Sequence, residues 1–347
     1  SVNSDNWNGE DVMGIFFNEF NRYKKKSESG QVFTPDHITS LMYKILEVNA
    51  NDKILDAACG SGAFLVKSMS NMIKEVGGIN TKEAKKIKEH SLFGIEFDRE
   101  IFALACANMM IHKDGKTNLE QLDSRDKEAS EWIKSKGITK VLMNPPFERK
   151  YGCKKIVENV LNSVPSGIKC AFIMPEKKME KDKMGKLLEK HHLEAIIKLP
   201  EKLFDAGVTT SIYVFETGKK QVGEIYGCYI EDDGLERVKN QGRQDIKDKW
   251  MELENYWVDS IRKRNDTKYG TSQWIDPKKF LSYQKPKAEF VLYEEDFVKT
   301  MMNYLMFKNK IDVKEFSDKL INKTLYNSEI LKEDNNIVIK IKDAEDE

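Results

Sequence analysis

Lys53-Ile54-Leu55-Asp56-Ala57-Ala58-Cys59-Gly60-Ser61-Gly62-Ala63-Phe64-Leu65-Val66 decides the fold. Lys53-Ile54-Leu55 reads as a short apolar strand that ends on Asp56. Gly60 and Gly62 permit a tight turn in which the backbone comes close to a ligand. Phe64-Leu65-Val66 then opens an amphipathic helix. Strand, glycine turn and helix in this order form a nucleotide cradle of the α/β type. The turn does not match the dinucleotide fingerprint, whose third glycine would stand where Leu65 is, and no Gly-Lys-Ser/Thr follows for a triphosphate loop.

Asp56 at the strand's end suits a positively charged amino-acid group better than a pyrophosphate, which points to S-adenosylmethionine. Farther on, Ser91-Leu92-Phe93-Gly94-Ile95-Glu96 reads as a second strand, with Glu96 placed to accept hydrogen bonds from both ribose hydroxyls. Between the two strands, the charged stretch Thr81 to His90 reads as a solvated helical extension.

About eighty residues after the glycine turn, Val141-Leu142-Met143 runs into Asn144-Pro145-Pro146-Phe147. Proline lacks an amide hydrogen and has a fixed φ, so the chain leaves the sheet there in a rigid loop. In such a loop the Asn144 side-chain oxygen and the Pro145 carbonyl can both accept hydrogen bonds from one exocyclic amine. That pulls the nitrogen lone pair out of conjugation with its ring, which a poor aromatic amine needs before attacking a methyl sulfonium. Phe147 offers a flat face to a base rotated out of the duplex. The plain alternative is a turn closed by a core phenylalanine. Upstream, Gly30-Gln31-Val32-Phe33-Thr34-Pro35 precedes the helical pattern Ile38, Leu41, Met42, Ile45, Leu46, with Pro35 at the first helical position.

Taken together, these motifs resemble the S-adenosylmethionine-dependent DNA methyltransferases acting on adenine N6. Their order, with Phe-Thr-Pro first and Asn-Pro-Pro-Phe last, resembles most the modification subunits of type I restriction-modification systems. Asp11 to Phe20 looks like the helix leading into the Phe-Thr-Pro segment there, and Ala171 to Pro175, Leu193 to Pro200 and Gly207 to Phe215 look like the last three sheet strands. The resemblance implies that Gln31, Phe33, Thr34 and Pro35 hold the methionine end of the cofactor. It implies that Asp56, Ala57, Gly60, Ser61, Gly62, Phe64 and Glu96 hold the rest, with Asp123 near its adenine. Asn144, Pro145, Pro146 and Phe147 would orient the target base. Phe147 stands where many relatives have tyrosine, so stacking survives while a hydroxyl's hydrogen bond is lost. Such subunits usually carry an additional helical domain ahead of the catalytic one; this sequence begins too late to contain it, being either trimmed there or that of a shorter relative.

The expected architecture is α/β: a seven-stranded, mostly parallel, Rossmann-like methyltransferase sheet with helices on both faces, and a mainly helical carboxyl-terminal extension. Residues 1–29 would form a lead-in helix, 30–218 the catalytic domain, and 219–347 a hairpin and helices that dock a partner or DNA. The hairpin is expected around Asp232-Asp233-Gly234, and helical stripes at Trp250, Leu253, Trp257 and Ile261 and at Phe297, Met301 and Leu305. The charged end, Lys342 to Glu347, is expected to fray.

At 347 residues and 40% apolar content, the chain supports one core of about 200–240 residues with an appendage. No run approaches the roughly 18 apolar residues of a membrane span. No export signal opens the chain, so a soluble cytoplasmic protein is expected. Cysteines 59, 106, 153, 170 and 228 form no Cys-x-x-Cys pair, so reduced thiols and no metal site are expected. Charge is balanced, with 57 basic and 57 acidic side chains, and residues 219–347 carry 24 against 26. A protein gripping DNA alone should show a basic face. Lys24-Lys25-Lys26, Arg149-Lys150 with Lys154-Lys155, and Arg262-Lys263-Arg264 are candidate phosphate contacts, or ordinary solvated runs.

The implied partners are double-stranded DNA, a separate specificity subunit carrying target-recognition domains, and a restriction subunit. Three other readings stay open: methylation of a protein glutamine, methylation of cytosine N4, for which serine usually replaces Asn144, and a catalytically silent DNA scaffold.

Overall fold

The computed structural model describes residues 9, 12–13, 34–112, 118–147, 152–179, 181–201, 203–204, 208–238, 242–286, 293–326, 328–333 and 336–341. Gln31, Phe33, most of the lead-in helix, Lys24-Lys25-Lys26, Arg149-Lys150 and the charged end lie outside them. The chain divides into two compact units, Ser1–Gln284 and Lys285–Glu347.

In chain order the first unit runs α1 (Asp36–Ile45), β1 (Ile54–Asp56), α2 (Ala63–Glu75), α3 (Lys82–His90), β2 (Leu92–Ile95), α4 (Arg99–Ile111), β3 (Leu119–Glu120), α5 (Lys127–Lys136) and β4 (Lys140–Met143). It continues with α6 (Cys153–Ser163), β5 (Lys169–Pro175), α7 (Lys181–Leu188), β6 (His192–Lys198), β7 (Thr210–Glu216), β8 (Ile225–Tyr229), β9 (Glu236–Val238), β10 (Gly242–Gln244), α8 (Trp250–Lys263) and β11 (Gln273–Ile275).

The central strands are near-continuous apolar runs because both of their faces are covered. Leu142 joins one core with Ile54, Ile173, Ile197 and Tyr226, into which α1, α2 and α8 insert Leu41, Leu65 and Trp257. Its neighbours Val141 and Met143 join the other core with Leu55, Phe172 and Tyr213, which α5 and α6 fill with Ile133 and Val157. The period of two along β4 therefore separates two helix layers.

The sheet has nine strands, in the order β11-β8-β6-β7-β5-β4-β1-β2-β3. The α/β methyltransferase architecture holds, but the seven-stranded expectation is corrected. β7 runs antiparallel between β5 and β6, β8 pairs parallel with β6, and β11 closes the edge antiparallel to β8. Ile225 to Tyr229, expected as a hairpin arm, is buried throughout, so it needs cover on both faces and enters the main sheet. Gly227 makes room for this, since a Cβ there would stand 2.6 Å from the Ile275 side chain. The hairpin forms later, between β9 and β10.

β1 pairs parallel with both β2 and β4. The chain thus moves outward from β1 on one side through β2 and β3, and returns to its other side at β4. At this switch point adjacent strands send their connections in opposite directions, and a crevice opens beyond their carboxyl ends.

α1 is fastened by residues far along the chain. The His37 Nε2 and Asp233 Oδ2 are 3.2 Å apart, with side chains 9% and 0% exposed. His37 also meets the Trp250 ring edge-on at 4.9 Å, and the Lys44 ammonium donates to the Glu254 carboxylate at 2.5 Å.

The second unit contains α9 (Glu294–Lys308), α10 (Val313–Tyr326) and a hairpin of β12 (Ser328–Glu333) with β13 (Asn336–Ile341). Among the described residues, no helix is long and apolar enough to cross a membrane.

Candidate active site

A cleft of about 990 Å³, open to solvent, lies where β1 and β4 end side by side. Asp56 ends β1 and is 1% exposed; its Oδ1 accepts the Ala58 amide at 3.1 Å. Burial pushes its pKa up to about 8, opposed by that amide and assisted by the negative charge of Glu96. Glu96, just beyond β2, is also shifted upward by burial, against the pull of amides from Asp98 and Gly60. Its Oε2 accepts the Gly60 amide at 3.0 Å and its Oε1 the Asp98 amide at 2.9 Å.

The glycines of the turn have a conformational cause: φ is +56° at Gly60 and +92° at Gly62. A Cβ on Gly60 would meet nothing within 4 Å, so the backbone there borders open space. Two side chains that sequence reasoning did not single out brace this turn. Buried Asn108 on α4 donates to the Ser61 carbonyl at 2.8 Å, and Ser124 donates to the Ala57 carbonyl at 2.5 Å.

Asp123 also lines the cleft, held by Arg125, whose Nε donates to its Oδ1 at 2.8 Å and to its Oδ2 at 3.0 Å. That partnership holds the Asp123 carboxyl below the ordinary carboxylate range. The Arg125 guanidinium lies 5.8 Å from the centre of the Phe97 ring, and Phe97 and Arg125 both form part of the wall.

Beyond β4, Asn144, Pro145 and Pro146 supply the opposite wall, and Thr34 approaches from the other end of the chain. The Asn144 Nδ2 donates to the Thr34 Oγ1 at 3.0 Å. Phe147 is 9% exposed and meets Phe204 edge-to-face, with centroids 5.5 Å apart and rings at 81°.

The structure thus brings Thr34, Asp56, Ala57, Gly60, Ser61, Phe64, Glu96, Asp123, Asn144, Pro145 and Pro146 onto one cleft. Gly62 and Pro35 instead stand at the N-caps of α2 and α1, and Pro35 therefore precedes the first helical residue by one. Phe147 packs into the core beside the cleft. Phe97, Arg125 and Phe204 are additions that sequence reasoning missed. Phe204 had a signal: Leu199-Pro200 interrupts the chain after β6 as Asn144-Pro145 does after β4.

Chemically the cleft offers a buried carboxyl that a cation can ionise, a carboxylate with acceptor capacity for a diol, and an amide and a prolyl carbonyl for an amine.

The family described as N-6 DNA Methylase matches residues 10–169 and 164–275. The chain is 30% identical over 326 residues to the type II restriction enzyme and methyltransferase RM.BcgI of Heyndrickxia coagulans, covering 86% of this chain and 50% of that protein. It is 22% identical over 215 residues to the type I restriction enzyme EcoEI methylase subunit of Escherichia coli, covering 55% of this chain and 43% of the subunit. The fold is similar to that of the type I restriction-modification system methyltransferase subunit from Streptococcus thermophilus, with a TM-score of 0.53 and 16% identity, over 73% of this chain and 57% of that one. The chain therefore spans about half the length of these relatives.

Proposed function

The chain belongs to the N-6 DNA Methylase family, and from that premise we propose that it transfers a methyl group from S-adenosylmethionine to the N6 of adenine in double-stranded DNA, as the modification component of a restriction-modification system. The observation that carries the reading is the meeting, in one cleft, of Asn144-Pro145 with the carboxylates of Asp56 and Glu96.

The cleft fits S-adenosylmethionine by the chemistry of its walls. Asp56 offers a buried carboxyl to the ammonium. Glu96 spends one acceptor position per oxygen on backbone amides, and carboxylate oxygens retain further lone pairs for ribose hydroxyls. Phe97, with Arg125 and Asp123 behind it, suits the edge and face of the adenine. When bound there, the cofactor supplies an electrophilic methyl group.

Everything else is done by the chain's own groups. Asn144 and Pro145 accept hydrogen bonds from the target amine and localise its lone pair on nitrogen. The rigid prolines keep both acceptors where charge develops during transfer, which is the more effective because they need no reorganisation. Phe147, packed edge-to-face on Phe204 beside the cleft, backs the loop that would present these acceptors to a base rotated out of the duplex, as chemistry on a stacked base requires.

The balanced charge of the chain supports a division of labour in which a separate specificity subunit reads the sequence and the extension of residues 219–347 helps to dock it. A restriction subunit would complete the assembly.

The test is to incubate the protein, with and without its specificity partner, with duplex DNA and methyl-labelled cofactor, and to digest the DNA to nucleosides. Label in N6-methyladenosine supports the proposal. Label in N4-methylcytosine, label only in a glutamine-containing protein substrate, or none at all overturns it.

A further inference from the structure

Thr34 and Asn144 are 110 positions apart, yet the Asn144 Nδ2 donates to the Thr34 hydroxyl oxygen at 3.0 Å. A carboxamide has a donor branch and an acceptor branch. Turned one way, Asn144 offers a carbonyl oxygen to a target amine; turned the other, it offers two N–H groups, which repel that amine's own hydrogens. The Thr34 hydroxyl oxygen accepts from Nδ2 in this structure and holds the first orientation so long as its own proton is directed to another acceptor.

The residues that follow Thr34 are well held. Pro35 follows it with φ −58° and ψ 141°, the chain then enters α1, and the Pro35 carbonyl accepts the amides of Ile38 and Thr39. Asp36 at the head of α1 takes the Lys67 ammonium at 2.8 Å, and His37 is fastened to Asp233.

We propose that Thr34 is a positioning residue for the reaction, whose hydroxyl sets the Asn144 carboxamide with its acceptor branch toward the target amine. This goes beyond the cofactor contact implied by the Phe-Thr-Pro segment, and it rests on the methyl-transfer reading above.

The test uses the full chain with whatever partner turnover requires, and compares Thr34→Val, which keeps the shape but removes the acceptor, with Thr34→Ser, which keeps it. The expected result for Thr34→Val is a kcat lower by about ten- to a hundredfold, as for a small misplacement of a reacting group, with cofactor Kd within about twofold. Thr34→Ser should recover most of the rate. Unchanged kcat with weakened cofactor binding would overturn the proposal and leave Thr34 as a cofactor contact only, as would equal losses in both variants.

A second readout is independent of turnover: the side-chain amide resonances of Asn144, assigned by their disappearance in Asn144→Asp. They should be protected from solvent exchange in the wild type and in Thr34→Ser, and lose protection in Thr34→Val. Protection retained in Thr34→Val would also overturn the proposal. A wild type that methylates no DNA would defeat the methyl-transfer reading, while the resonances would continue to decide the Thr34 link.

Discussion

The Glu96 carboxylate accepts the Gly60 amide at 3.0 Å, so the acid just beyond β2 also sets the turn that follows β1. Removing it is expected to have two effects, loss of the proposed ribose acceptor and loosening of the turn. Glu96→Ala is therefore expected to weaken cofactor binding by about ten- to a hundredfold, the range for hydrogen bonds to a charged group. Calorimetric titration reads this directly. A dissociation constant equal to that of the wild type would remove Glu96 from the cofactor site.

Asn144→Ala should show the opposite pattern. On the proposed reading its side chain addresses the target amine, so cofactor affinity is expected to stay near the wild-type value while turnover falls by roughly a hundred- to a thousandfold, the cost of losing one preorganised hydrogen-bonding group. Binding and rate measured on the same preparation separate the two parameters. Retained turnover would exclude Asn144 from the reaction.

Cofactor affinity should rise with pH. Burial pushes Asp56 up to about 8, so in the free protein it is largely protonated at neutral pH. A cation favours the carboxylate, so binding expels a proton, and affinity gains up to about tenfold per pH unit below that value before levelling off. For the unliganded protein the same shift has the reverse sense: stability is full below the ordinary carboxylate value of 3.8 and declines as pH rises toward about 8. Titrations in buffers of different ionisation heat count the proton, and Asp56→Asn should remove most of the dependence. An affinity that stays flat from about pH 6 to about pH 9 would place the ammonium elsewhere.

The cradle was readable because its causes are local. Gly60 and Gly62 need positive φ, Asp56 ends an apolar strand, and the prolines after Met143 stop a ladder. The ninefold sheet was not, because Ile225-Tyr226-Gly227-Cys228-Tyr229 has no polar alternation to tell a hairpin arm from a strand buried on both faces. Long-range contacts were also invisible. Nothing near Asn144 in the sequence announces Thr34.

DNA sequence discrimination is expected to depend on a partner. Reading a site needs side chains at base edges, whereas a balanced chain offers little even for non-specific phosphate contact. In anisotropy titrations at physiological salt, the isolated chain should bind methylatable and scrambled duplexes weakly and alike, and the specificity subunit should sharpen the difference. Tight, discriminating binding by the chain alone would move the reader into this polypeptide.

The fastening of α1 has a consequence for biosynthesis. A nascent chain that has emerged as far as Gly218 carries every motif of the cleft, yet it lacks Asp233, Trp250 and Glu254, which hold His37 and Lys44. Contacts spanning some 200 positions close slowly, because the loop between them must be ordered first. The segment bearing Thr34 is therefore secured only once Glu254 has been made, and a chain stopped at Gly218 would carry the motifs of the cleft on an unfastened α1.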